Sequence, residues 1–382
     1  MKPLAESRVL IVDDAEANVD VLVNLLRADY RLSVALDGES ALRAIAKAPP
    51  DLVLLDIVMP ELDGYAVCRR IRENEAWRDI PVMFLSSLEE ATDKARGFEA
   101  GGNDYVTKPF EPLEVQARVH SLLRAKAYAD AIREAHARDL RIAREIQMGL
   151  LHTDLRPFTD GTGLDVAAVI EPAKFVGGDL YDVIRVGDRV VVALGDVSGK
   201  GIPAALFMAV TLTLLRTMAR LHEDPAEILT RLSDELAEQN PRGMFVTIQC
   251  AVFDLRQGRV TVAGAGHHSA VVLSQGGPPR LAFPSSGRVA GITPANEVTS
   301  ESMDLHPGDT LLFYSDGVTE AFDEAEEVLG EEQLLEQLSA CPGLTAAETV
   351  RSVLTAVNRH VGAAKQSDDI SVVASRWCPS TG

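Results

Sequence analysis

The sequence has few basic residues and few cysteines. Its 382 residues include 37 lysines and arginines against 57 aspartates and glutamates, a net charge of −20. This balance argues against nucleic-acid binding as the main function, since phosphate contacts need concentrated Lys and Arg. The four cysteines (Cys68, Cys250, Cys341 and Cys378) form no CxxC pair. We therefore expect no thiol-ligated zinc, and we expect a reducing, cytoplasmic location.

Long apolar runs are also lacking. The chain enters the strand-like segment "RVLIVDD" after only seven residues, without a leader-like apolar region. No run approaches the ~20 apolar residues of a membrane span. We therefore expect a cytoplasmic protein without a membrane partner, long enough for two domains that each bury a core.

The N-terminal third alternates short apolar runs with helical patterns. The runs are "RVLIV", "RLSVA", "LVLLD", "PVMFLS" and "DYVTK", and several lack polar alternation, as is typical of strands buried on both faces. Helical stretches such as "ESALRAIAKA" separate them. The pattern predicts an α/β domain over residues 1–125, with a doubly wound, parallel five-stranded sheet.

Polar residues follow four of these predicted strands. Asp13 and Asp14 follow the first strand, Asp56 ends the third, Ser86 the fourth, and Lys108 follows the fifth. Each aspartate alone could cap a helix or form a turn. Because ligands collect at the carboxyl ends of parallel strands, we expect the residues to converge and the carboxylates to hold Mg²⁺.

The segments "VLIVDD", "DLVLLDIVMPELDGY", "PVMFLSS" and "DYVTKPF" closely resemble the receiver domain of two-component response regulators. The resemblance implies a flavodoxin-like fold, with Asp56 as the phosphoacceptor and a sensor histidine kinase as partner. It also implies that Asp13 and Asp14 form the acidic pocket. Asp14 would be the direct Mg²⁺ ligand, helped by the carbonyl of Val58.

The same resemblance assigns the switch residues. Ser86 and Lys108 would contact the phosphoryl group, and Tyr105 matches the switching aromatic residue of the family. The Lys108–Pro109 peptide is expected to be cis. Ser87 stands where alanine is more usual, a difference expected to tune autodephosphorylation.

Residues 111–150 are rich in Ala, Leu, Arg and Glu and predict one long helix. Leu122, Ala129, Ala143 and Leu150 share one heptad register, which His136 interrupts. We expect a linker over 126–155 that forms a homodimer through a coiled coil. The alternative is a solvated helix that acts as a stiff spacer.

Beyond this linker, strand-like runs such as "LDVAAVI", "RVVVALG" and "TLLFYS" alternate with glycine-rich turns. Helical patterns occupy 202–220, 225–239, 331–340 and 345–361. This organisation predicts an α+β β-sandwich domain over 156–382, with sheets packed together and flanked by helices.

One turn in this half, "LGDVSGKGIPAALFMA", places Asp196 between an apolar strand and a glycine-rich turn. A phosphate-binding loop would need GxxxxGK[ST], but Gly195 to Lys200 is one residue short and Gly201 replaces the hydroxyl residue. Nor does "VGGDLYDV" match the diguanylate cyclase signature, since Leu-Tyr replaces Glu-Phe. A metal ligand is the better interpretation of Asp196.

Further carboxylates stand at similar junctions of strand and turn: Asp179, Asp316, Asp368 and Asp369. Oxygen ligands alone suit two Mn²⁺ or Mg²⁺ ions, and a carboxylate that bridges them would help to activate a water nucleophile. The pair His267–His268 is expected to stabilise a turn instead of binding metal.

The segments "AREIQMGLL", "VGGDLYDV", "GDVSGKGIPAALFMA", "GAGHHSAVVL", "LHPGDTLLFYSDGVTEA" and "SDDISVVA" resemble the SpoIIE/RsbU-type branch of the metal-dependent type-2C Ser/Thr phosphatases. The resemblance implies that Asp196 bridges two metals and the Val197 carbonyl serves one. Asp316 and Asp368 would complete the other site, and Asp179 would bind directly or through water. Asp369 is second to Asp368 as a ligand.

The arginine by which larger relatives grip phosphate has no match here, and Lys200 is a weak candidate for that task. The resemblance implies a phosphatase controlled by phosphorylation of Asp56, acting on phosphoserine or phosphothreonine of an anti-sigma-factor antagonist. The alternative is a partner-switching adaptor that binds a protein without hydrolysis.

Overall fold

The computed structural model describes residues 3–86, 96–238, 240–340 and 343–379. Ser87 and Cys341, discussed above, lie outside these ranges. The chain divides into two compact units, residues 1–138 and 139–382. This boundary falls inside a long helix, where the sequence predicted a linker; the limits 1–125, 126–155 and 156–382 stay a prediction.

The first unit is a parallel five-stranded sheet in the order β2-β1-β3-β4-β5. Its strands are β1 Arg8–Val12, β2 Arg31–Ala35, β3 Leu52–Asp56, β4 Val82–Ser86 and β5 Asp104–Thr107. Its helices include α1 Glu16–Leu26, α2 Gly38–Lys47 and α3 Gly64–Glu73, and a short 3₁₀ turn spans Leu4–Glu6. The predicted doubly wound fold is confirmed.

Both faces of this sheet are buried. On β1, Leu10 and Val12 belong to one apolar cluster, whereas Val9 and Ile11 belong to a second cluster on the opposite face. Because successive side chains of a strand point to opposite faces, both faces need apolar residues. This explains the unbroken apolar run of "RVLIV".

One helix, α4, runs from Pro112 to Leu150. Within the first unit, Leu122 packs partly against the core, and within the second unit Leu150 does the same. Both ends of the predicted heptad register therefore contact the chain's own cores. The large apolar side chains of α4 that are exposed between them are Tyr128, Ile132, Ile142 and Ile146.

The second unit contains two antiparallel sheets. Their orders are β13-β10-β9-β8-β7 and β12-β11-β14-β15-β6. The strands are β6 Leu164–Glu171, β7 Leu180–Val186, β8 Arg189–Val197, β9 Val246–Asp254, β10 Arg259–Ala265, β11 Ala270–Leu273, β12 Arg280–Ala282, β13 Ser300–Asp304, β14 Thr310–Tyr314 and β15 Ile370–Trp377. Residues from both sheets share one apolar core, so the unit is a β-sandwich as predicted.

Four helices of this unit fall close to the predicted segments, and two short ones, α5 and α8, were not predicted. They are α5 Arg156–Thr159, α6 Ile202–Leu221, α7 Pro225–Glu238, α8 Asp316–Thr319, α9 Gly330–Ser339 and α10 Ala346–Val361. A second cluster of apolar residues, including Leu334 and Val353, packs α9 and α10 against β14 and β15. Helices therefore flank the sandwich.

The sequence led us to expect no apolar run of membrane-spanning length, but helix α6 is long and apolar enough to cross a membrane, by length and composition alone. A helix in the core of a globular domain can meet the same criteria of length and composition. Here Met208, Leu212 and Leu215 are buried in the core, and Arg216 bonds to the buried carboxylate of Asp182. These contacts are those of a helix that packs against a sheet.

Candidate metal centres

The first site lies at the carboxyl ends of β1 and β3, which are neighbours in the sheet. Asp13 directly follows β1 and is fully buried, Asp56 ends β3 and is 5% exposed, and Asp14 is exposed. One oxygen from each carboxylate lies within 4.8 Å of the others. The predicted convergence of the three aspartates is therefore observed.

A lysine partly compensates this negative charge. Nζ of Lys108 lies 2.7 Å from Oδ2 of Asp13 and 2.9 Å from Oδ2 of Asp56. Burial raises the pKa of Asp56; the hydrogen bond and charge of Lys108 oppose this rise, and the charge of Asp13 adds to it. Three carboxylates against one ammonium group leave excess negative charge, which a divalent cation such as Mg²⁺ fits.

The other predicted receiver residues flank this cluster. Ser86 is buried at the end of β4, Tyr105 is half-buried on β5, and both line a small cavity. Val58 lies in the loop after β3 and is 60% exposed. The Lys108–Pro109 peptide is cis, as the resemblance implied.

The second site draws aspartates from both sheets of the sandwich. In one sheet Leu180 pairs with Gly195, so Asp179 and Asp196 are neighbours across β7 and β8. In the other sheet, Asp316 directly follows Ser315, whose backbone nitrogen donates to the carbonyl of Ser371 on β15. Asp368 and Asp369 precede β15. The strand ends thus bring five carboxylates near one another, although among the described residues only the receiver aspartates form a set of three with oxygens within 4.8 Å of one another.

Glycines allow these segments to approach each other. A Cβ atom on Gly177 would overlap the Asp369 carboxylate, and one on Gly317 would overlap the carbonyl of Asp369. A Cβ on Gly178 would lie 2.6 Å from the carbonyl oxygen of Val197 and 3.2 Å from Oδ1 of Asp196. Side chains at these three positions would push the carboxylates apart.

The electrostatics indicate that these carboxylates repel one another. Burial, followed by repulsion from Asp196, raises the pKa of Asp179 well above its usual range. Burial and the charges of Asp316, Asp368 and Asp369 raise the pKa of Asp196 to about 7. Burial and Asp368 also raise the pKa of Asp316. Carboxylates that repel one another in this way need a cation nearby if all are to ionise.

A buried oxygen supports the same conclusion. Oδ2 of Asp179 is buried and has no hydrogen-bond partner among the described residues. A buried carboxylate oxygen without a partner is costly. A divalent cation with oxygen ligands would satisfy it, so the donor set fits the Mn²⁺ or Mg²⁺ that the sequence predicts.

The adjacent residues Asp368 and Asp369 have different surroundings. The Asp368 side chain is 42% exposed and lies 2.8 Å from Nζ of Lys200. Asp369 is 8% exposed, and its two oxygens accept the N–H groups of Ala173 at 2.8 Å and Gly178 at 2.9 Å. Asp369 therefore holds two loop residues with its carboxylate, whereas Asp368 faces the cluster and Lys200.

His267 is hydrogen-bonded through both ring nitrogens. Its Nε2 lies 3.0 Å from the carbonyl oxygen of Tyr314, and its Nδ1 lies 2.8 Å from Oγ1 of Thr247. A carbonyl can only accept, so Nε2 carries the proton and Nδ1 accepts from Thr247. Burial, with a smaller contribution from His268, lowers the pKa of His267 to about 3. The neighbouring His268 ring stacks on Tyr314.

One residue near this site has no role in the sequence prediction. Gln147 of α4 is buried and hydrogen-bonded to Gly177, two residues before Asp179. Its segment "AREIQMGLL" contributes to the resemblance, but a glutamine on a helix carries no chemical signal of its own. Only the folded structure shows that Gln147 contacts Gly177.

Comparison with known proteins identifies the families of the two domains. The family model described as stage II sporulation protein E (SpoIIE) matches residues 186–378, just over half of the 382 residues. The chain belongs to the SpoIIE family. A response regulator receiver domain matches residues 9–120. The receiver is therefore joined to a SpoIIE domain, as the two sequence resemblances predicted.

Curated relatives resemble the receiver. PleD, a response regulator of Caulobacter vibrioides, is 41% identical over 137 residues, which cover 36% of this chain and 30% of PleD. The transcriptional regulatory protein PhoP of Bacillus subtilis is 42% identical over 123 residues, or 32% of this chain and 50% of PhoP. The chain thus spans half or less of the length of these relatives.

Solved structures resemble the SpoIIE domain. The SiaA-PP2C domain of Pseudomonas aeruginosa has a TM-score of 0.58 at 21% identity, covering 64% of this chain and 98% of that one. The PP2C phosphatase domain with a regulatory fragment of SpoIIE from Bacillus subtilis has a TM-score of 0.50 at 20% identity, with 56% and 62% covered. At such identities the likeness establishes the fold.

Proposed function

We propose that this chain is a response regulator whose output is a metal-dependent phosphoserine/phosphothreonine protein phosphatase. The observation that carries the proposal is the cluster of mutually repelling carboxylates from both sheets, which includes a buried oxygen of Asp179 without a partner. Membership of the SpoIIE family supports the same reaction.

The residues of the cluster would hold two divalent cations. Asp196, which lies beside Asp179 and is repelled by the charges of Asp316 and Asp368, would contribute oxygen ligands to both ions. The Val197 carbonyl, which approaches Gly178, would add a neutral oxygen. Bound Mn²⁺ or Mg²⁺ would lower the pKa of a water and stabilise the charge on the phosphoryl oxygens. Water would attack phosphorus, the P–O bond would break, and the seryl or threonyl oxygen would leave with a proton.

Asp368, not Asp369, is the proposed ligand of the pair. Both oxygens of Asp369 already accept backbone N–H groups, whereas Oδ2 of Asp368 pairs only with the flexible ammonium group of Lys200 among its described contacts. A cation would displace Lys200 more easily than two backbone groups. Asp369 would position the Gly178 loop, and Asp179 would bind an ion directly or through water.

In the receiver, Asp56 is the proposed phosphoacceptor and a sensor histidine kinase the phosphodonor. A phosphoryl group would pass from a phosphohistidine nitrogen to a carboxylate oxygen of Asp56. Mg²⁺ held by Asp13, Asp14 and the Val58 carbonyl would offset the charge of this group. Lys108 and Ser86 would contact it, and Tyr105 would follow the movement of Ser86.

Control of the phosphatase by Asp56 is proposed to work as a local electrostatic event that biases a two-state element. The beryllofluoride adduct of Asp56 mimics the phosphorylated state. We expect it to change the phosphatase rate of the full chain in wild type and not in Asp56→Asn. Equal rates with and without the adduct, and an unchanged oligomeric state, would remove this control and leave the catalytic proposal intact.

The proposed substrate is an anti-sigma-factor antagonist phosphorylated on serine or threonine, acting in the cytoplasm. A homodimer through α4 is also proposed, because Ile132, Ile142 and Ile146 are exposed on this helix. We expect Ile142→Glu to shift the full chain from dimer to monomer in sedimentation. A wild-type monomer would contradict the dimer.

The main test is hydrolysis of a generic aryl phosphate with Mn²⁺. Wild type should turn over, and both Asp196→Ala and chelation should abolish turnover. Asp188→Ala is the matched control, since Asp188 lies in the turn at the other end of β7 and β8, where it pairs with Arg256. Equal behaviour of wild type and Asp196→Ala would favour a non-catalytic partner-switching adaptor.

A further inference from the structure

The last turns of α4 are hydrogen-bonded to the loop that leads into β7. Gln147 is only 6% exposed. Its Nε2 donates to the carbonyl oxygen of Gly177 at 2.7 Å, and its Oε1 accepts the N–H of the same residue at 3.2 Å. One amide side chain thus satisfies both backbone groups of one buried loop residue.

This loop has little freedom on its other side. The N–H of Gly178 donates to Oδ2 of Asp369 at 2.9 Å. A Cβ atom on Gly178 would lie 2.6 Å from the Val197 carbonyl oxygen, so the backbone is in close contact with the segment that carries Asp196. Asp179 comes next, with its unpartnered oxygen. A shift of Gly177 would therefore reach the carboxylate cluster within two residues.

Further contacts fix the same helix end to the same segment. Nη1 of Arg144, one turn before Gln147, donates to the carbonyl of Phe175 at 3.3 Å. Arg216 donates to the carbonyl of Leu150 at 2.7 Å and to Oδ2 of the fully buried Asp182 at 2.6 Å. The end of α4 is thus attached on both sides of Asp179.

We propose that Gln147 is a positioning residue for the cation site: it sets the place of Gly177 and Gly178 and, through them, of Asp179. The inference rests on the proposed function and deepens it, because it names the contact through which α4 acts on the site. A hydrogen bond is lost within a few tenths of an ångström beyond its normal range. A small displacement of this helix end therefore releases the loop, and divalent cations bind more weakly.

The test uses the full chain carrying Asp14→Asn, which removes the proposed direct cation ligand of the receiver, and measures Mn²⁺ binding directly by the electron paramagnetic resonance of free Mn²⁺. We expect Gln147→Leu, which keeps the volume but loses both bonds, to weaken Mn²⁺ binding about tenfold, the range seen when groups that orient metal ligands are removed. Gln147→Glu, which cannot donate to Gly177, should weaken it at least as much. Saturating Mn²⁺ should restore most of kcat in Gln147→Leu but not in Asp196→Ala.

Gln116→Leu is the matched control. Gln116 is the other glutamine of α4, and its amide donates to the carbonyl of Leu25 in the first unit at 3.4 Å. Its loss should leave Mn²⁺ binding unchanged. If Gln147→Leu fails to fold, Arg144→Ala replaces it and should weaken Mn²⁺ binding in the same direction by a smaller factor.

The outcomes separate the two proposals. Wild-type Mn²⁺ affinity in folded Gln147→Leu, or in Arg144→Ala where it is the substitute, overturns the positioning role and leaves the phosphatase proposal standing. Equal weakening by Gln116→Leu overturns it too, because the effect would then be a general one of helix stability. A wild-type chain that neither binds Mn²⁺ nor hydrolyses phosphate overturns the proposed function, and the positioning role with it.

Discussion

Nζ of Lys200 lies 2.8 Å from Oδ2 of Asp368 and donates to the carbonyl oxygen of Ser367 at 3.0 Å. The hydrogen bond to Asp368 raises the pKa of Lys200, so the side chain stays charged at neutral pH. A fixed positive charge thus lies against a proposed metal ligand. It neutralises Asp368 and competes with any cation for the same oxygen.

Removing this charge should favour metal binding. We expect Lys200→Met to lower the Mn²⁺ concentration for half-maximal activity by about threefold, since a partly exposed ion pair contributes only ~1 kcal/mol or less. Titration of activity with Mn²⁺ measures the effect. Lys174→Met, which removes an exposed lysine outside the pair, is the control. A raised half-maximal concentration would contradict the competition and favour Lys200 as a phosphate anchor.

Substitutions of the adjacent residues Asp368 and Asp369 should affect different properties, Mn²⁺ binding and stability respectively. Asp369→Asn turns an amide N–H toward a backbone donor and loses one buried hydrogen bond, at a cost of about 1–3 kcal/mol in the free energy of unfolding. Asp368→Asn should leave that free energy unchanged and weaken Mn²⁺ binding. Thermal melting and Mn²⁺ binding of both variants check this, and each variant is the control of the other. A stable Asp369→Asn chain without Mn²⁺ binding would reverse the assignment.

Metal binding should depend on pH through Asp196. Its pKa of about 7 in the metal-free chain means that a proton and a cation compete for this carboxylate near neutral pH. We therefore expect Mn²⁺ affinity to fall as the pH is lowered from 8 to 6. Binding titrations across this range give the slope. A flat profile would show that Asp196 is not a ligand.

The same carboxylate should destabilise the metal-free chain at high pH. Its pKa in the folded chain, about 7, lies above the ordinary value of 3.8. Folding thus favours the protonated form, whose stabilisation is complete below about pH 4 and is lost as the pH rises through 7. We expect Asp196→Asn to raise the melting temperature at pH 8, by about 2–4 °C for each kcal/mol gained in the free energy of unfolding. The same substitution should abolish hydrolysis. Equal melting temperatures of wild type and variant at pH 8 would show that ionised Asp196 does not destabilise the metal-free chain.

Gly178 should tolerate no side chain. A Cβ atom 2.6 Å from the Val197 carbonyl oxygen meets backbone, which must move. We expect Gly178→Ala to lower kcat/KM about 100-fold, the loss that a displacement of ~1 Å can cause at an active site. Gly277→Ala is the control, because a Cβ there meets open space. Normal kcat/KM in folded Gly178→Ala would show that the loop adjusts freely.

The sequence was most informative about the acidic residues that lie at the ends of strands. Asp13 and Asp56 could be placed together because parallel neighbouring strands end at the same edge, and the apolar run of β1 indicated burial on both faces. The acidic residues of the second half could be picked out in the same way. Their convergence came from four segments far apart in the chain, and the resemblance supplied their roles.

The heptad register of α4 was less informative. Spacing selected Leu122 and Leu150, but the structure packs both against cores of the chain and leaves Ile142 and Ile146 exposed. Periodicity identifies apolar positions on a helix but not what covers each of them. That depends on which sheet the helix end meets.

By itself, the sequence determined the two domain types, the candidate carboxylates and most of the strands and helices, because alternation and strand-end placement are local properties of the chain. Only the tertiary structure decided that Asp369 accepts hydrogen bonds from a loop while Asp368 pairs with Lys200. It alone also decided that Gln147 is hydrogen-bonded to Gly177. Adjacent aspartates are chemically identical in a sequence. They differ through backbone donors and charges that folding brings from 168 to 196 residues away.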